Sequence, residues 1–169
     1  DSLSLIREFI RDSAKLAGLD KSKTYKLCLA VDEIATNIIN YGYLKSGIDN
    51  GIILVTVSSD KELLTVILED SATPFNPLEN KPPGEKELAL PLEERTIGGL
   101  GIMLAINNVD EFRYNYENGK NKNIFYADAS GNLFLKTKSF IYFVDNRKNN
   151  GNNKYTGNKS FKTAGLKLI

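Results

Sequence analysis

Glu33, Asn37 and Asn40, in the stretch LCLAVDEIATNIINYGY over residues 27–43, are one carboxylate and two amides that recur at helical spacing. At about 100° per residue they share a stripe, beside an apolar face of Leu27, Ala30, Val31, Ile34 and Ile38 that Cys28, Ala35 and Ile39 widen. A glutamate one turn from an asparagine suits general-base work by the first and hard-cation ligation by the amide oxygen of the second. A solvated outer face is the ordinary alternative, but exposed faces mix both signs, and no Lys or Arg follows Lys26 in this stretch.

Two further segments have chemical potential. In LEDSATPFNP a β-like run ends at Asp70 and meets a proline-broken turn at once. A carboxylate at such a strand end can accept from a planar amine such as an exocyclic adenine nitrogen. A turn-initiating aspartate is the plain reading. In RTIGGLGIML, Gly98, Gly99 and Gly101 permit close backbone approach. A helix starting there would offer free N–H groups and its positive dipole end to a phosphate, although a bare glycine-rich turn is more often a loop. The segment lacks a Lys-Ser/Thr ending and does not open a strand-turn-helix unit with an acid beyond, so it is neither a P-loop nor a dinucleotide fingerprint.

These groups need elements to hold them. Leu5, Ile6, Phe9, Ile10, Ala14, Leu16 and Ala17 predict an amphipathic first helix that stops at Gly18. The second helix runs through the Glu33 stretch, and Gly42, Gly47 and Gly51 mark the loop after it. GIILVTVSSDKELLTVILED reads as a hairpin turning near Ser59, Asp60 and Lys61. From Ser71 to Ile97 five prolines break regular structure, and a loop of that length is functional or disordered. A short helix from the glycines follows, then a second hairpin around Asn118 and Gly119. The expected fold is α+β, a two-layer sandwich of a mainly antiparallel sheet with helices on one face. GNLFLKTKSFIYFVDN could add one or two strands.

Totals narrow the chemistry. The 169 residues suffice for one domain and an appendage, and 41% hydrophobic with 25% charged residues is ordinary for a soluble globular chain. There is no histidine, which excludes histidine-based acid/base catalysis, histidine-ligated zinc and phosphohistidine within the sequence. The single cysteine, Cys28, reads as packing in a reducing compartment. No apolar run approaches the roughly 20 residues that cross a bilayer, and no signal peptide is evident, so a cytoplasmic protein without membrane association is expected. Charge is uneven: residues 1–135 carry 14 Lys+Arg against 20 Asp+Glu, a balance of −6, whereas 136–169 carry 8 against the single Asp145, a balance of +7.

In combination the three segments resemble a family. DEIATNIINYGY resembles the N box of the ATPase fold shared by histidine kinases, the heat-shock 90 chaperones, gyrase and the MutL repair proteins, with Glu33 and Asn37 in its E-x-x-x-N spacing. DSATPFNP resembles the first glycine box and GGLGI the second. PFNPLE, ERTIGGLGIMLA and VDEFRYNYENGKN are most similar to the bacterial anti-sigma-factor serine kinases of partner-switching systems. The resemblance covers roughly residues 3–127. It divides the chain into an ATP-binding domain over 1–129 and a basic extension over 130–169 with no recognised counterpart. Ala72 stands where the first box usually has glycine, tolerable if its φ is negative. Tyr41 and Tyr43 replace a histidine-containing run, and the usual opening β-strand is not found before Asp1.

The resemblance implies ATP and Mg²⁺. Asn37 would ligate the metal, Glu33 would activate the attacking hydroxyl and Asp70 would bind the adenine amine, with Ala72 in the first box. Gly99, Leu100 and Gly101 would meet the phosphates, under a lid over residues 71–97 from which Arg95 would reach in. The implied function is a serine/threonine protein kinase that acts on an anti-anti-sigma (STAS-type) protein and otherwise binds a sigma factor. A homodimer is a further expectation. The alternatives are a nucleotide-dependent regulatory module without phosphate transfer, and a histidine-kinase catalytic domain acting on a separate protein. Nucleic-acid binding through the basic tail is weighed against packing of that tail on the acidic body, which is preferred.

Overall fold

The structure, a computed structural model, describes residues 2–48, 50–60, 62–79, 99–129 and 138–145. Its elements are α1 (Ser2–Leu16), α2 (Lys21–Asn37), a π-helical turn (Ile38–Leu44), β1 (Asn50–Ser59), β2 (Leu63–Asp70), a 3₁₀ turn (Pro77–Glu79), α3 (Gly99–Asn107), β3 (Glu111–Glu117), β4 (Lys120–Asp128) and β5 (Lys138–Asp145). The strands form one antiparallel sheet in the order β3-β4-β2-β1-β5. This is the expected α+β fold. The tail contributes β5, which pairs with β1 from Asn50↔Asp145 to Val57↔Lys138. The remainder of the expected basic extension, beyond Asp145, lies outside the described residues.

Local signals account for the joints. Gly18, at φ 82°, ends α1 as a left-handed cap, with Gly18 N–H bonded to Lys15 O at 3.1 Å and Leu19 N–H to Ala14 O at 3.0 Å. Asp20 caps α2 by accepting from Lys23 N–H at 2.7 Å. The β1–β2 turn is closed by the Asp60 carboxylate, which accepts from Glu62 and Leu63 N–H. Asn118 and Gly119 turn the second hairpin with φ of 53° and 74°, the pair of positive values a two-residue type I′ turn needs.

The core lies between the inner face of the sheet and the helices. Ile6, Phe9, Ile10, Ala14 and Ala17 of α1 and its cap are buried, as are Leu27, Ala30, Val31, Ile34, Ala35 and Ile38 along the second helix. Leu5 and Leu16, expected on the buried face of α1, are instead exposed at 51% and 43%, because they lie off the narrower stripe that meets the sheet. On the sheet, Ile53, Val55 and Val57 of β1 face inward with Leu64, Val66 and Leu68 of β2 and Phe125 and Ala127 of β4. The registers set these side by side: Val55↔Leu68, Val57↔Val66, Val66↔Phe125. Phe112 of β3 closes the row edge-on to Phe125, with ring centroids 5.1 Å apart.

The second helix departs from the sequence expectation at its end. After Asn37 the bonding changes to the π pattern, shown by Lys45 N–H to Asn40 O at 3.0 Å. At about 100° per residue Ile38 and Tyr43 would stand roughly 140° apart. Closure over five residues brings them to one side, and both are buried. The same rewinding leaves Asn40 exposed, outside the stripe it was expected to share with Glu33 and Asn37.

Candidate functional site

The site forms where α2, the π-helical turn, the end of β2, the start of α3 and the beginning of β4 meet. Asn37 turns its amide nitrogen back along the helix, donating to Glu33 O at 2.8 Å and to Glu33 Oε1 at 3.2 Å. The Asn37 Oδ1 is thereby left as the atom to face a ligand. Glu33 in turn lies against the start of α3: a Cβ placed on Gly101 would stand 2.0 Å from Glu33 Oε1 and 2.5 Å from its carboxyl carbon. Only glycine fits there without moving the glutamate. Because α3 begins at Gly99, its first backbone N–H groups have no partner within the helix.

The other half of the site is built on β2 and β4. Asp70 is 3% exposed at the strand end. Its Oδ1 accepts from Ala72 N–H at 2.9 Å and from Asn121 Nδ2 at 2.8 Å. Its Oδ2 is buried and accepts no hydrogen bond from the described residues. Burial, opposed by these two hydrogen bonds, raises the Asp70 pKa above the ordinary aspartate value, with nearby Glu69 adding to the rise. A buried carboxylate oxygen without a donor is costly, and a ligand N–H would remove that cost.

Two close packings lock the halves together. A Cβ on Gly42 would fall 2.8 Å from the Ala72 methyl, so the absent side chain at 42 makes room for alanine at 72. Ala72 has negative φ, since Asn118 is the single non-glycine residue with positive φ among the described residues. That is the condition under which alanine can replace a glycine at this place. Tyr43 lies over Gly51, donates its hydroxyl to Ile52 O at 2.7 Å and accepts from Ser71 N–H at 3.1 Å. The tyrosine thus ties the π-helical turn to β1 and to the chain leaving Asp70, and burial raises its pKa.

The structure therefore brings Glu33, Asn37 and Gly101 together, and separately Asp70 with Ala72. Gly99 and Leu100 stand at the start of α3, while Arg95, Gly98 and the lid from residue 80 onward lie outside the described residues. Sequence reasoning missed two residues, Asn121 and Asn123. Asn121 spends its whole amide here: besides Asp70, Nδ2 donates to Ala72 O at 3.1 Å, while Oδ1 accepts from Tyr114 Oη at 2.6 Å and Phe75 N–H at 3.3 Å. Asn123, two residues along, is 2% exposed and has an unpaired Oδ1. The signal was present in KNKNIFYAD, where Asn121 and Asn123 share the parity of Phe125 and Ala127 and so must point into the core.

No helix among the described residues is long and apolar enough to cross a membrane. None of the curated proteins matches the chain. The family model of the histidine kinase-like ATPase domain matches residues 1–125, a span that holds Glu33, Asn37, Asp70, Ala72, Gly101, Asn121 and Asn123. The chain belongs to the histidine kinase-like ATPase domain family, and its role is that of a nucleotide-binding regulatory domain.

Proposed function

We propose that the domain is an ATP-dependent serine/threonine protein kinase that phosphorylates a small STAS-type anti-anti-sigma protein and otherwise binds a sigma factor. The observation that carries nucleotide recognition is Asp70, a buried carboxylate with one oxygen committed to Ala72 and Asn121 and the other awaiting a donor. An exocyclic adenine amine supplies that donor. The kinase subtype is supported by the likeness of PFNPLE, ERTIGGLGIMLA and VDEFRYNYENGKN to the anti-sigma-factor kinases.

In this reading the half-buried Glu33 is the general base. Its Oε1 is fixed by Asn37 and by contact with Gly101, so the carboxylate stands beside the helix start that would face the phosphates. The serine or threonine oxygen attacks the γ-phosphorus, the bond to the β–γ bridging oxygen breaks, ADP leaves, and Glu33 takes the hydroxyl proton. Among the described residues no three His, Cys, Asp or Glu side chains cluster as a metal cage. A single amide oxygen at Asn37 fits Mg²⁺, which keeps waters and takes phosphate oxygens as ligands. When bound, the ion neutralises phosphate charge.

Single-turnover phosphorylation of a cognate partner, together with nucleotide affinity measured with and without Mg²⁺, tests the assignment. Glu33→Ala is expected to bind Mg·ATP and transfer phosphate at least about a hundredfold more slowly. Asn37→Ala is expected to weaken Mg·ATP itself and to flatten the dependence on Mg²⁺. ATP binding with no transfer to any STAS-type partner would replace the kinase by a nucleotide-dependent binding module.

A further inference from the structure

The rungs of the β1–β2 ladder can be followed from its turn towards the site. Asp60 N–H donates to Leu63 O at 3.1 Å, and the register then runs from Ser59↔Leu64 to Ile53↔Asp70. In an antiparallel pair, opposed residues alternate between exchanging backbone hydrogen bonds and exchanging none. Counted from Asp60 and Leu63, the bonded pairs are Ser58 with Thr65, Thr56 with Ile67 and Leu54 with Glu69. The other side of β2 agrees: Ala129 N–H donates to Glu62 O at 2.7 Å, so even-numbered residues of β2 bond towards β4 and odd-numbered ones towards β1. The next rung would therefore join Ser71 N–H to Ile52 O. The Tyr43 hydroxyl stands in it instead, accepting from Ser71 N–H at 3.1 Å and donating to Ile52 O at 2.7 Å.

The surroundings are shaped to put the hydroxyl there. Tyr43 is 2% exposed near the end of the π-helical turn, and its ring lies so close on Gly51 that a Cβ there would meet ring carbon Cδ2. Gly42, one residue earlier, makes room for the Ala72 methyl. Two consecutive residues of the turn thus hold two consecutive residues of the chain leaving Asp70. That chain has to bend at once, because Asp70 Oδ1 accepts from Ala72 N–H at 2.9 Å, a bond across two residues that belongs to a turn and not to an extended strand. A direct rung between Ser71 and Ile52 would carry β2 onward in extended form and draw Ala72 N–H away from the carboxylate. The inserted hydroxyl ends the strand at Asp70 and leaves that residue in the turn that fixes Oδ1.

We propose that Tyr43 is a positioning residue for base recognition: its hydroxyl, wedged into the last rung between β1 and β2, aims the Asp70 carboxylate at the exocyclic amine of the base. This rests on the nucleotide reading above and adds to it the group that sets the direction of the base contact. Phenylalanine at this position would keep the ring on Gly51 but free Ser71 N–H and Ile52 O to bond one another, closing the ladder by one rung. The loss then falls on the amine contact and spares the phosphates.

The test is calorimetric affinity of the full chain for ATP and for purine riboside triphosphate, the analogue that lacks the amine. The unsubstituted protein should bind ATP roughly tenfold or more tightly than the analogue. In Tyr43→Phe that ratio should contract to about threefold or less, since a hydrogen bond weakens steeply once its acceptor is misaimed, while the analogue binds nearly as before. A general loosening of the fold would weaken both nucleotides alike, so an undiminished ratio in folded Tyr43→Phe overturns the proposal. Amide hydrogen exchange of the nucleotide-free, unsubstituted protein decides the matter without a variant that must fold: the Ser71 amide should be protected like the ladder amides of β2, and exchange at the rate of an open loop amide also overturns it. Failure of the nucleotide reading looks different. A full ratio in Tyr43→Phe leaves the Asp70 contact standing, whereas an unsubstituted protein that binds the two nucleotides equally, or binds neither, removes that contact and this proposal together.

Discussion

The inner face of the β2–β4 ladder has two halves made by the same backbone and filled by opposite chemistry. At one end Leu64, Val66, Phe125 and Ala127 are apolar, buried and in direct register. At the other end Asp70, Asn121 and Asn123 are just as buried, and Asn121 alone makes four hydrogen bonds. Depth is the same in both halves; completeness is not. The apolar half is finished within the chain, whereas the polar half holds two acceptors without donors, at Asp70 Oδ2 and Asn123 Oδ1. A ligand can offset such a cost, so under the proposed function the difference between the halves separates the part of the sheet that stabilises from the part that would bind.

Substitutions should divide along that line. Phe125→Ala, in the apolar half, removes a fully buried ring in edge-on contact with Phe112. It should lower unfolding stability by about 3–5 kcal/mol in denaturant titration, while nucleotide affinity at a temperature where the protein remains folded stays near that of the unsubstituted chain. Loss of binding out of proportion to the folded fraction would break the distinction.

Asn121→Ala lies in the polar half and carries both kinds of consequence. It strips one bond from Asp70 and leaves the Tyr114 hydroxyl without its acceptor. A stability loss of about 1–3 kcal/mol is expected, accompanied by weaker nucleotide binding because Asp70 is no longer held in one orientation. Thermal shifts with and without ATP read both at once.

Asp70→Asn should show almost the reverse of Phe125→Ala. The isosteric amide keeps an oxygen for Ala72 N–H and removes a charge that burial disfavours, so stability should hold or rise slightly. A hydrogen bond to a charged group contributes about 1.5–3 kcal/mol, so affinity for adenine nucleotides should fall roughly tenfold to a hundredfold or more. Equal ATP-induced shifts in the two proteins would remove Asp70 from the site.

The smallest effect is in pH. The folded pKa of Asp70 is raised above its unfolded value by burial, so its contribution to the stability of the empty protein is present at low pH and is lost as pH rises through the folded value. Binding has the opposite sign, because an amine donor needs the ionised carboxylate: adenosine affinity should decline as pH falls through that raised value. Adenosine is the better probe, since it has no phosphates to titrate, and Asp70→Asn should abolish the dependence. A pH profile with no difference between the two proteins would count against the carboxylate as the base contact.

The stretch from Leu27 to Tyr43 shows how much local pattern can say. Its apolar period placed Leu27, Ala30, Val31, Ile34 and Ile38 in the core, as found, and its polar period put Glu33 and Asn37 side by side. The same periodicity misplaced Asn40, because a switch to π bonding is a response to what the turn packs against, here Tyr43 over Gly51, and leaves no trace in the spacing. Leu5 and Leu16 failed for a related reason: an apolar residue is buried only where a partner surface reaches it.

By itself the sequence determined which residues alternate, which recur every turn and where glycine or a capping aspartate must stand, since these follow from the geometry of one segment. It therefore yielded the two hairpins, the three helices, and Glu33, Asn37, Asp70 and Gly101 as the groups able to do chemistry. Tertiary structure alone decided which of them meet. Gly101 against Glu33, Gly42 against Ala72 and Asn121 on Asp70 join residues 68, 30 and 51 positions apart. The unpaired oxygens of Asp70 and Asn123 exist only once β2 and β4 are in register, because an acceptor becomes an orphan when folding takes away its water and supplies no donor in return.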